Sequence, residues 1–383
     1  MTELKPGWRR FRFEELAVNV NDRVDDPRTA GVDRYVGLEH LDPEDLTIRR
    51  WGTPDDVEAQ KLRFKPGDII FGKRRAYQRK LAVADFEGIC SAHAMVLRAR
   101  PEAVLPEFLP FFMQSDVFME RAKAISVGSL SPTINWRTLA TEEFLLPPLE
   151  EQQRLHRVLL AASAACWAAK DARMAAEATE VALAEDFIAS SQQQVPIGEV
   201  VSDIAYGCSM KSSSERTGLP ILRIPNVLRG ELSLDDLQWI ELNADDSQRF
   251  GVLTGDVLLV RTNGNPDYVG RSVHVPPNAA PMVFASYLLR LRVKPGVLPE
   301  FLSAMINAPS TRRGLRRSVR SSAGNFNINT SGVSGQTIPC CGEQEQKSLV
   351  DRLRSMRSAR LSLDKRAQSL ADLCRNLLRE GLA

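Results

Sequence analysis

The chain has little from which catalytic or metal centres are usually built. Its four histidines, His40, His93, His156 and His274, are scattered, and no Ser/His/Asp order connects them. Its six cysteines (Cys90, Cys166, Cys208, Cys340, Cys341, Cys374) include no CxxC pair and no Cys/His spacing suited to zinc. Free thiols in a reduced, cytoplasmic setting are therefore expected. Uninterrupted apolar runs such as residues 158–162 and 257–260 are far too short to span a bilayer. The start, Met1-Thr2-Glu3-Leu4-Lys5-Pro6, lacks the apolar core of a signal peptide. Excess charge is also missing: the net charge is +2. A binder of nucleic acid would need its basic residues clustered, because phosphate binding depends on local potential.

What is present is a repeat. The 383 residues, 43% apolar and 26% charged, suffice for two or three folded domains. Pro66-Gly67-Asp68-Ile69-Ile70 matches Thr254-Gly255-Asp256-Val257-Leu258, and Val104-Leu105-Pro106-Glu107-Phe108-Leu109 recurs identically as Val297-Leu298-Pro299-Glu300-Phe301-Leu302. Thr133-Ile134-Asn135 aligns with Asn327-Ile328-Asn329, and Glu151-Gln152-Gln153-Arg154-Leu155 with Glu345-Gln346-Lys347-Ser348-Leu349. The offsets are 188, 193, 194 and 194 residues (Asp68 to Asp256, Leu105 to Leu298, Ile134 to Ile328, Leu155 to Leu349). Ordered matches at nearly one spacing mark a duplicated module.

In the first module, residues 33–41 alternate as a strand does, and His40 there reads as a strand-end residue. Pro66-Gly67-Asp68 is a turn feeding the strand Ile69-Ile70-Phe71. The next stretch packs cations around one aromatic and one amide: Lys73, Arg74, Arg75, Tyr77, Gln78, Arg79 and Lys80. A solvated loop is one reading. The other is a DNA contact, with Arg and Lys on phosphates and Arg or Gln on base edges. Residues 106–123 predict one helix with Phe108, Leu109, Phe112, Met113 and Met119 on its apolar face. A small-polar loop follows, with Ser129, Ser131 and Asn135; it suits phosphate approach or is a plain surface turn.

The second module restarts the pattern at residue 195. After its Gly-Asp strand come Arg261, Asn263, Asn265, Tyr268 and Arg271, a candidate recognition loop. Asn265-Pro266-Asp267-Tyr268 is one residue from the Asn-Pro-Pro-Tyr motif of amino-methyltransferases, but no Gly-rich cofactor loop follows a strand upstream. Residues 299–319 predict the matching helix, ending in Arg312, Arg313, Arg316, Arg317 and Arg320. Arg312, Arg316 and Arg320 share one face if the helix continues past Gly314. With no acid nearby in sequence, a polyanion is the expected partner, and a distant acidic surface of the same chain the alternative. Asn325 and Asn327 follow at the position of the Ser129 loop.

Each module leads into a long tract with helical periodicity. Leu155, Leu159, Ala162, Cys166, Ala169, Ala176, Leu183 and Phe187 fall on a 4-3 spacing, interrupted by Arg173 and Glu180. Leu349, Leu353, Met356, Leu363, Ala367, Leu370, Cys374 and Leu377 do the same, interrupted by Arg360. Such seams predict a coiled-coil pair, Ala-lined against Leu-lined. A pseudo-twofold relation between modules would make it antiparallel, and roughly 40 helical residues span ~60 Å. Homo-oligomerisation through the same seams is the alternative.

The run Pro147-Pro148-Leu149-Glu150-Glu151-Gln152-Gln153-Arg154-Leu155 before a long helix, Gly67-Asp68-Ile69-Ile70-Phe71-Gly72-Lys73, and Thr262-Asn263-Gly264-Asn265-Pro266-Asp267-Tyr268-Val269-Gly270 resemble the DNA specificity subunit of type I restriction-modification systems. The resemblance spans nearly the whole chain; Pro339-Cys340-Cys341-Gly342 departs from the Pro-Pro-Leu entry. It implies an α+β fold with two target-recognition domains, 1–147 and 193–342, and spacer helices at 148–192 and 343–383. It also implies a non-catalytic subunit that reads a bipartite double-stranded DNA sequence and joins two methyltransferase subunits. ATP-dependent restriction subunits are further partners. S-adenosylmethionine and ATP would then belong to the partners, and no cofactor or metal to this chain. Two other functions compete: an amino-methyltransferase built on residues 265–268, and a coiled-coil adaptor that binds no DNA.

Overall fold

In the computed structural model, which describes residues 5–228, 230–277, 279, 281–322 and 324–382, the chain divides into two compact units. One comprises Met1–Lys170 with Asp364–Ala383, the other Asp171–Leu363. The grouping follows contacts rather than sequence segments, so each long helix contributes one part to each unit.

The first unit is built on an antiparallel sheet in the order Ala17–Val20, Met95–Ala99, Ile69–Phe71, Leu81–Val83. Side chains alternate across a strand, and both faces here are covered. Ile69, Phe71, Met95 and Leu97 join a core with the helices Leu109–Gln114 and Asp116–Ala124. Ile70, Ala82 and Val96 join another core with Leu62, Phe64 and Cys90. That second core backs onto a mixed sheet in the order Arg23–Val24, Lys61–Phe64, Gly88–Ser91, Tyr35–Val36. The unbroken Ile-Ile-Phe run is what a strand buried on both faces requires.

The second unit repeats this plan. Its antiparallel sheet runs Val201–Tyr206, Leu288–Val293, Asp256–Val260, Ser272–His274. Val257, Leu259, Leu289 and Leu291 face the helices Pro299–Asn307 and Pro309–Arg317. Leu258, Val260 and Leu288 face a smaller mixed sheet. The turn into the central strand is the same in both units. Gly67 and Gly255 take φ of +88° and +84°, which glycine adopts without strain. Buried Asp68 accepts from Lys65 N (2.9 Å) and from Arg98 Nε and Nη2 (2.7 and 2.9 Å). Buried Asp256 accepts from Leu253 N (2.8 Å) and from Arg292 Nε and Nη2 (both 2.9 Å).

The two predicted helices over 106–123 and 299–319 are each broken. The first breaks at Ser115, whose extended backbone (ψ 156°) starts a new helix and whose Oγ caps it by accepting from Phe118 N (3.3 Å). The second breaks at Ala308 (ψ 138°), because the ring of Pro309 disfavours a helical residue before it. Over 33–41 only Tyr35–Val36 is strand; His40 ends a short 3-10 turn, and its Nδ1 accepts from Gly37 N (3.0 Å).

The long helices are Leu149–Ser190 and Glu343–Gly381. Both start on a buried glutamine. Gln152 Oε1 accepts from Leu105 N (2.9 Å) and its Nε2 donates to the Pro147 carbonyl (2.9 Å). Gln346 Oε1 accepts from Leu298 N (2.8 Å) and its Nε2 donates to the Cys341 carbonyl (3.1 Å). The Cys-Cys-Gly departure therefore leaves the helix entry intact.

The helices pack antiparallel within each unit. In the first, Leu155 approaches Gly381 so closely that a Cβ there would meet its Cδ2 at 2.8 Å. Cys166 and Ala169 pack on Ala367, and Cys166 Sγ donates to the Ala367 carbonyl (3.3 Å). In the second, Ala184 packs with Leu349, Val350 and Leu353. The charged interruptions there pair with each other: Glu180 holds Arg357 (3.1 Å) and Arg360 (3.5 Å).

Candidate nucleic-acid interface

In the first unit, Ile69–Phe71 delivers the chain into the basic stretch. Ile134 N donates to the Lys73 carbonyl (3.0 Å) and Arg75 N to the Pro132 carbonyl (2.7 Å). Arg74 also pairs with Thr133, so residues 72–80 and 126–135 form one surface. Arg75 and Arg79 flank a 3-10 turn, Ala76–Gln78, with φ of +58° and +54°. Left-handed backbone in non-glycine residues is strained and persists where packing enforces it; buried Ala76 anchors the turn.

The predicted cations divide. Arg79 turns inward to Asp116 (2.8 Å), Glu44 (3.4 Å) and the Gln114 carbonyl. Lys80 Nζ donates to the Leu38 carbonyl (2.7 Å). Lys73 is half-buried, and desolvation lowers its pKa. Arg74 Nη1 donates to His93 Nε2 (3.3 Å) and Arg75 Nε to Ser131 Oγ (3.3 Å). Burial and the neighbouring Arg74 and Lys73 push the His93 pKa down, so its ring is neutral at pH 7. Tyr77 is exposed, Gln78 half-buried and Ser129 exposed. Asn135 is a helix cap: its Oδ1 accepts from Arg137 N (3.0 Å) at the start of Trp136–Thr141.

The second unit repeats the join: Ile328 N donates to the Arg261 carbonyl (2.9 Å). Thr262–Asn263 pairs with Asn325–Asn327, which pairs in turn with Arg320–Ser322. Asn327 Nδ2 donates to the Asn325 carbonyl (3.3 Å). Two Asx turns fix the recognition loop: Asn263 Oδ1 accepts from Asn265 N (2.8 Å), and Asn265 Oδ1 from Asp267 N (2.9 Å). Arg261 stacks over Tyr206 (4.9 Å to the ring centre) and donates to the Ser286 carbonyl (3.2 Å). Arg271 lies over Tyr268 (4.9 Å) and donates to the carbonyls of Leu228 (3.0 Å) and Asp267 (3.3 Å).

The arginine helix continues past Gly314 but stops at Arg317, and Arg320 lies in a strand, so it does not share the face of Arg312 and Arg316. Those two do find an acid, one absent from their local sequence. Arg316 pairs with the Asp267 carboxylate, and Arg312 Nη2 donates to the Asp267 carbonyl (2.6 Å). Burial, then Arg271 and Arg316, lower the Arg312 pKa to about 10. Arg313 stands 3.9 Å from Glu185. Among the described residues, no hydrogen bond or ion pair engages the exposed side chains of Arg317 and Arg320.

Sequence reasoning missed Tyr206 and Tyr287, both exposed beside Arg261. It also passed over Val127 and Leu130, exposed at 78% and 91% in the loop beside the basic stretch. Tyr206 reaches the site through strand pairing with Leu289, a signal no local pattern carries. Among the described residues, no group of three His, Cys, Asp or Glu side chains is placed to hold a metal ion, and no helix is long and apolar enough to cross a membrane.

Comparison with known proteins converges on one family. The type I restriction modification DNA specificity domain matches residues 55–166. The chain is 22% identical over 353 residues to the specificity subunit of the type I restriction enzyme EcoKI from Escherichia coli (strain K12), covering 86% of this chain and 76% of that one. It is 21% identical over 358 residues to the StySPI specificity subunit from Salmonella potsdam, with the same coverage. The type I restriction-modification S subunit from M. genitalium shares the fold at a TM-score of 0.63, with 13% identity over 100% of this chain and 98% of that one. A chain from a structure of type I restriction-modification complex assembly matches at a TM-score of 0.62, with 19% identity over 100% and 99%. With the duplicated sheet and the paired glutamine-anchored helices, these matches make type I restriction-modification DNA specificity subunits the proteins this chain is similar to, in sequence and in fold.

Proposed function

We propose that this chain reads a split double-stranded DNA sequence, one part per unit, for a complex whose methyltransferase subunits perform the chemistry. The carrying observation is the repeated join of two polar loops, Ile134 to Lys73 and Ile328 to Arg261. Each places arginines, amides and an exposed tyrosine at the end of a strand buried on both faces. Arg74, Arg75, Tyr77 and Gln78 are the first unit's outward contacts; Arg261, Asn263, Tyr268, Arg317 and Arg320 are the second's. Arginine suits guanine edges and phosphates, and amides suit adenine. In this reading two methyltransferase subunits, and restriction subunits where present, bring S-adenosylmethionine and ATP, and the chain works in the cytoplasm.

An amino-methyltransferase built on residues 265–268 is not supported. The sheet behind them is antiparallel throughout, without the parallel βαβ unit of a dinucleotide-type cofactor site. Asn265 Oδ1 is also committed to its own loop. The test of the proposal is the methylation motif of host DNA with and without the gene. A split motif lost on deletion is expected; a purified complex that binds all duplexes equally would show the specificity role to be wrong.

A further inference from the structure

The second unit carries an arrangement that plain DNA contact does not explain. Three guanidiniums, those of Arg271, Arg312 and Arg316, converge on one residue, Asp267. They line an open cleft of ≈ 590 Å³. Two of the three, Arg271 and Arg312, hold the main-chain carbonyl of Asp267; only Arg316 holds its carboxylate. Among the described residues, the cluster is thus three positive charges answered by one negative. The nearest acids on the long helix are already engaged, Glu180 by Arg357 and Arg360 and Glu177 by Arg173.

The carboxylate of Asp267 is 61% exposed. A pair that open to water is weak and exchangeable. A phosphodiester carries the same single charge and offers two oxygens in the fork that guanidinium matches. Exchanging one for the other does not dismantle the loop. The Asx turn at Asn263 closes on Asn265 N, and the Asx turn at Asn265 and the arginine contacts use the Asp267 main chain; none of them uses its carboxylate. Burial and mutual repulsion destabilise the charge on Arg312 and favour a further anion beside it.

We propose that Arg271, Arg312 and Arg316 form a seat for a phosphodiester of the DNA backbone, and that the Asp267 carboxylate is its resident competitor, displaced when DNA docks. The inference rests on the DNA-binding reading above. It makes Asp267 a brake: part of the second unit's positive charge is cancelled until a phosphate takes the carboxylate's place.

The test is duplex binding by the assembled complex with its methyltransferase subunits, titrated across salt concentrations. Asp267→Asn removes the charge and keeps every main-chain contact. It is expected to tighten binding severalfold at low salt and to steepen the slope of log K against log salt by up to about 0.9, one phosphate's share. Arg316→Gln is expected to weaken binding, flatten the slope and shrink the effect of Asp267→Asn when the two are combined. Inorganic phosphate at matched ionic strength is expected to leave duplex affinity unchanged; selective competition by it would assign the seat to free phosphate and overturn the proposal. Wild-type affinity and slope in folded Asp267→Asn, or in Arg316→Gln, overturn it while leaving DNA recognition standing. No duplex binding by the wild-type complex would remove both.

Discussion

Glu185 on the first long helix accepts a hydrogen bond from the backbone N–H of Ser310 at 2.7 Å. The arginine helix Pro309–Arg317 has no cap of its own, since Ala308 offers no side-chain acceptor. The long helix thus supplies both the missing acceptor and a negative charge at the positive end of the helix dipole. Glu185→Ala is expected to cost about 1 kcal/mol, read by urea denaturation. Because that helix carries Arg312 and Arg316, duplex affinity should fall as well. Unchanged stability would mean that water replaces the cap.

The Asp256–Arg292 pair should matter more. Asp256→Ala leaves a partly buried guanidinium without its carboxylate and frees the turn at Leu253, so a loss of about 3 kcal/mol is expected. Asp68→Ala should cost less in the first unit, because the Arg98 guanidinium it would leave is half exposed to water. Denaturation midpoints shifted by less than a surface charge change would show that solvent compensates the arginine.

Gln152→Leu keeps the side chain's bulk and removes its hydrogen bonds. It strands Leu105 N and the Pro147 carbonyl, at an expected cost of about 2 kcal/mol. Gln346→Leu is the matching change in the second unit. Hydrogen exchange at Leu105 and Leu298 would report the loss directly.

Acid should weaken the second unit through His274. Burial lowers its pKa below the ordinary 6.5 even though Glu300 lies 3.4 Å away, with Arg357 and Arg354 acting in the same direction as burial. The folded ring resists a proton that the unfolded chain accepts. Its contribution is therefore fully present above the unfolded value and is lost as pH falls through 6.5 toward the folded value. Denaturation of His274→Gln between about pH 5 and 7 should show a shallower pH slope than wild type; an equal slope would assign the effect elsewhere.

Insertion of one or two helical turns at matched positions in both long helices is expected to change the spacer between the two recognised half-sequences and leave both half-sequences as they were. Methylation-motif sequencing reads both. An altered half-sequence with an unchanged spacer contradicts the helices' role in spacing.

The repeated features were legible where both partners are close in sequence or the pattern is dense. The Gly-Asp turn, the Ile-Ile-Phe strand and the Glu-Gln helix starts all appear as read. Long-range partners were not legible. Arg79 looked like a free cation because Asp116 and Glu44 lie 37 and 35 positions away. Arg312 and Arg316 looked unopposed because Asp267 is 45 and 49 positions distant. The cap at Asn135 was legible and not read: an Asn opening a short helix is a cap signal, and the polar loop before it drew attention toward phosphate.

The bond between Glu180 and Arg357 and Arg360 sets a rule for how the helix pair can change length. Each residue added or removed turns a helix by about 100°, so a single-residue change would swing Glu180 out of the seam and away from both arginines. Changes close to whole turns, made together in both helices, keep acid opposite base. Viable spacers should therefore come in steps rather than a continuum, and new DNA specificities that differ in spacing would arise by jumps of whole helical turns.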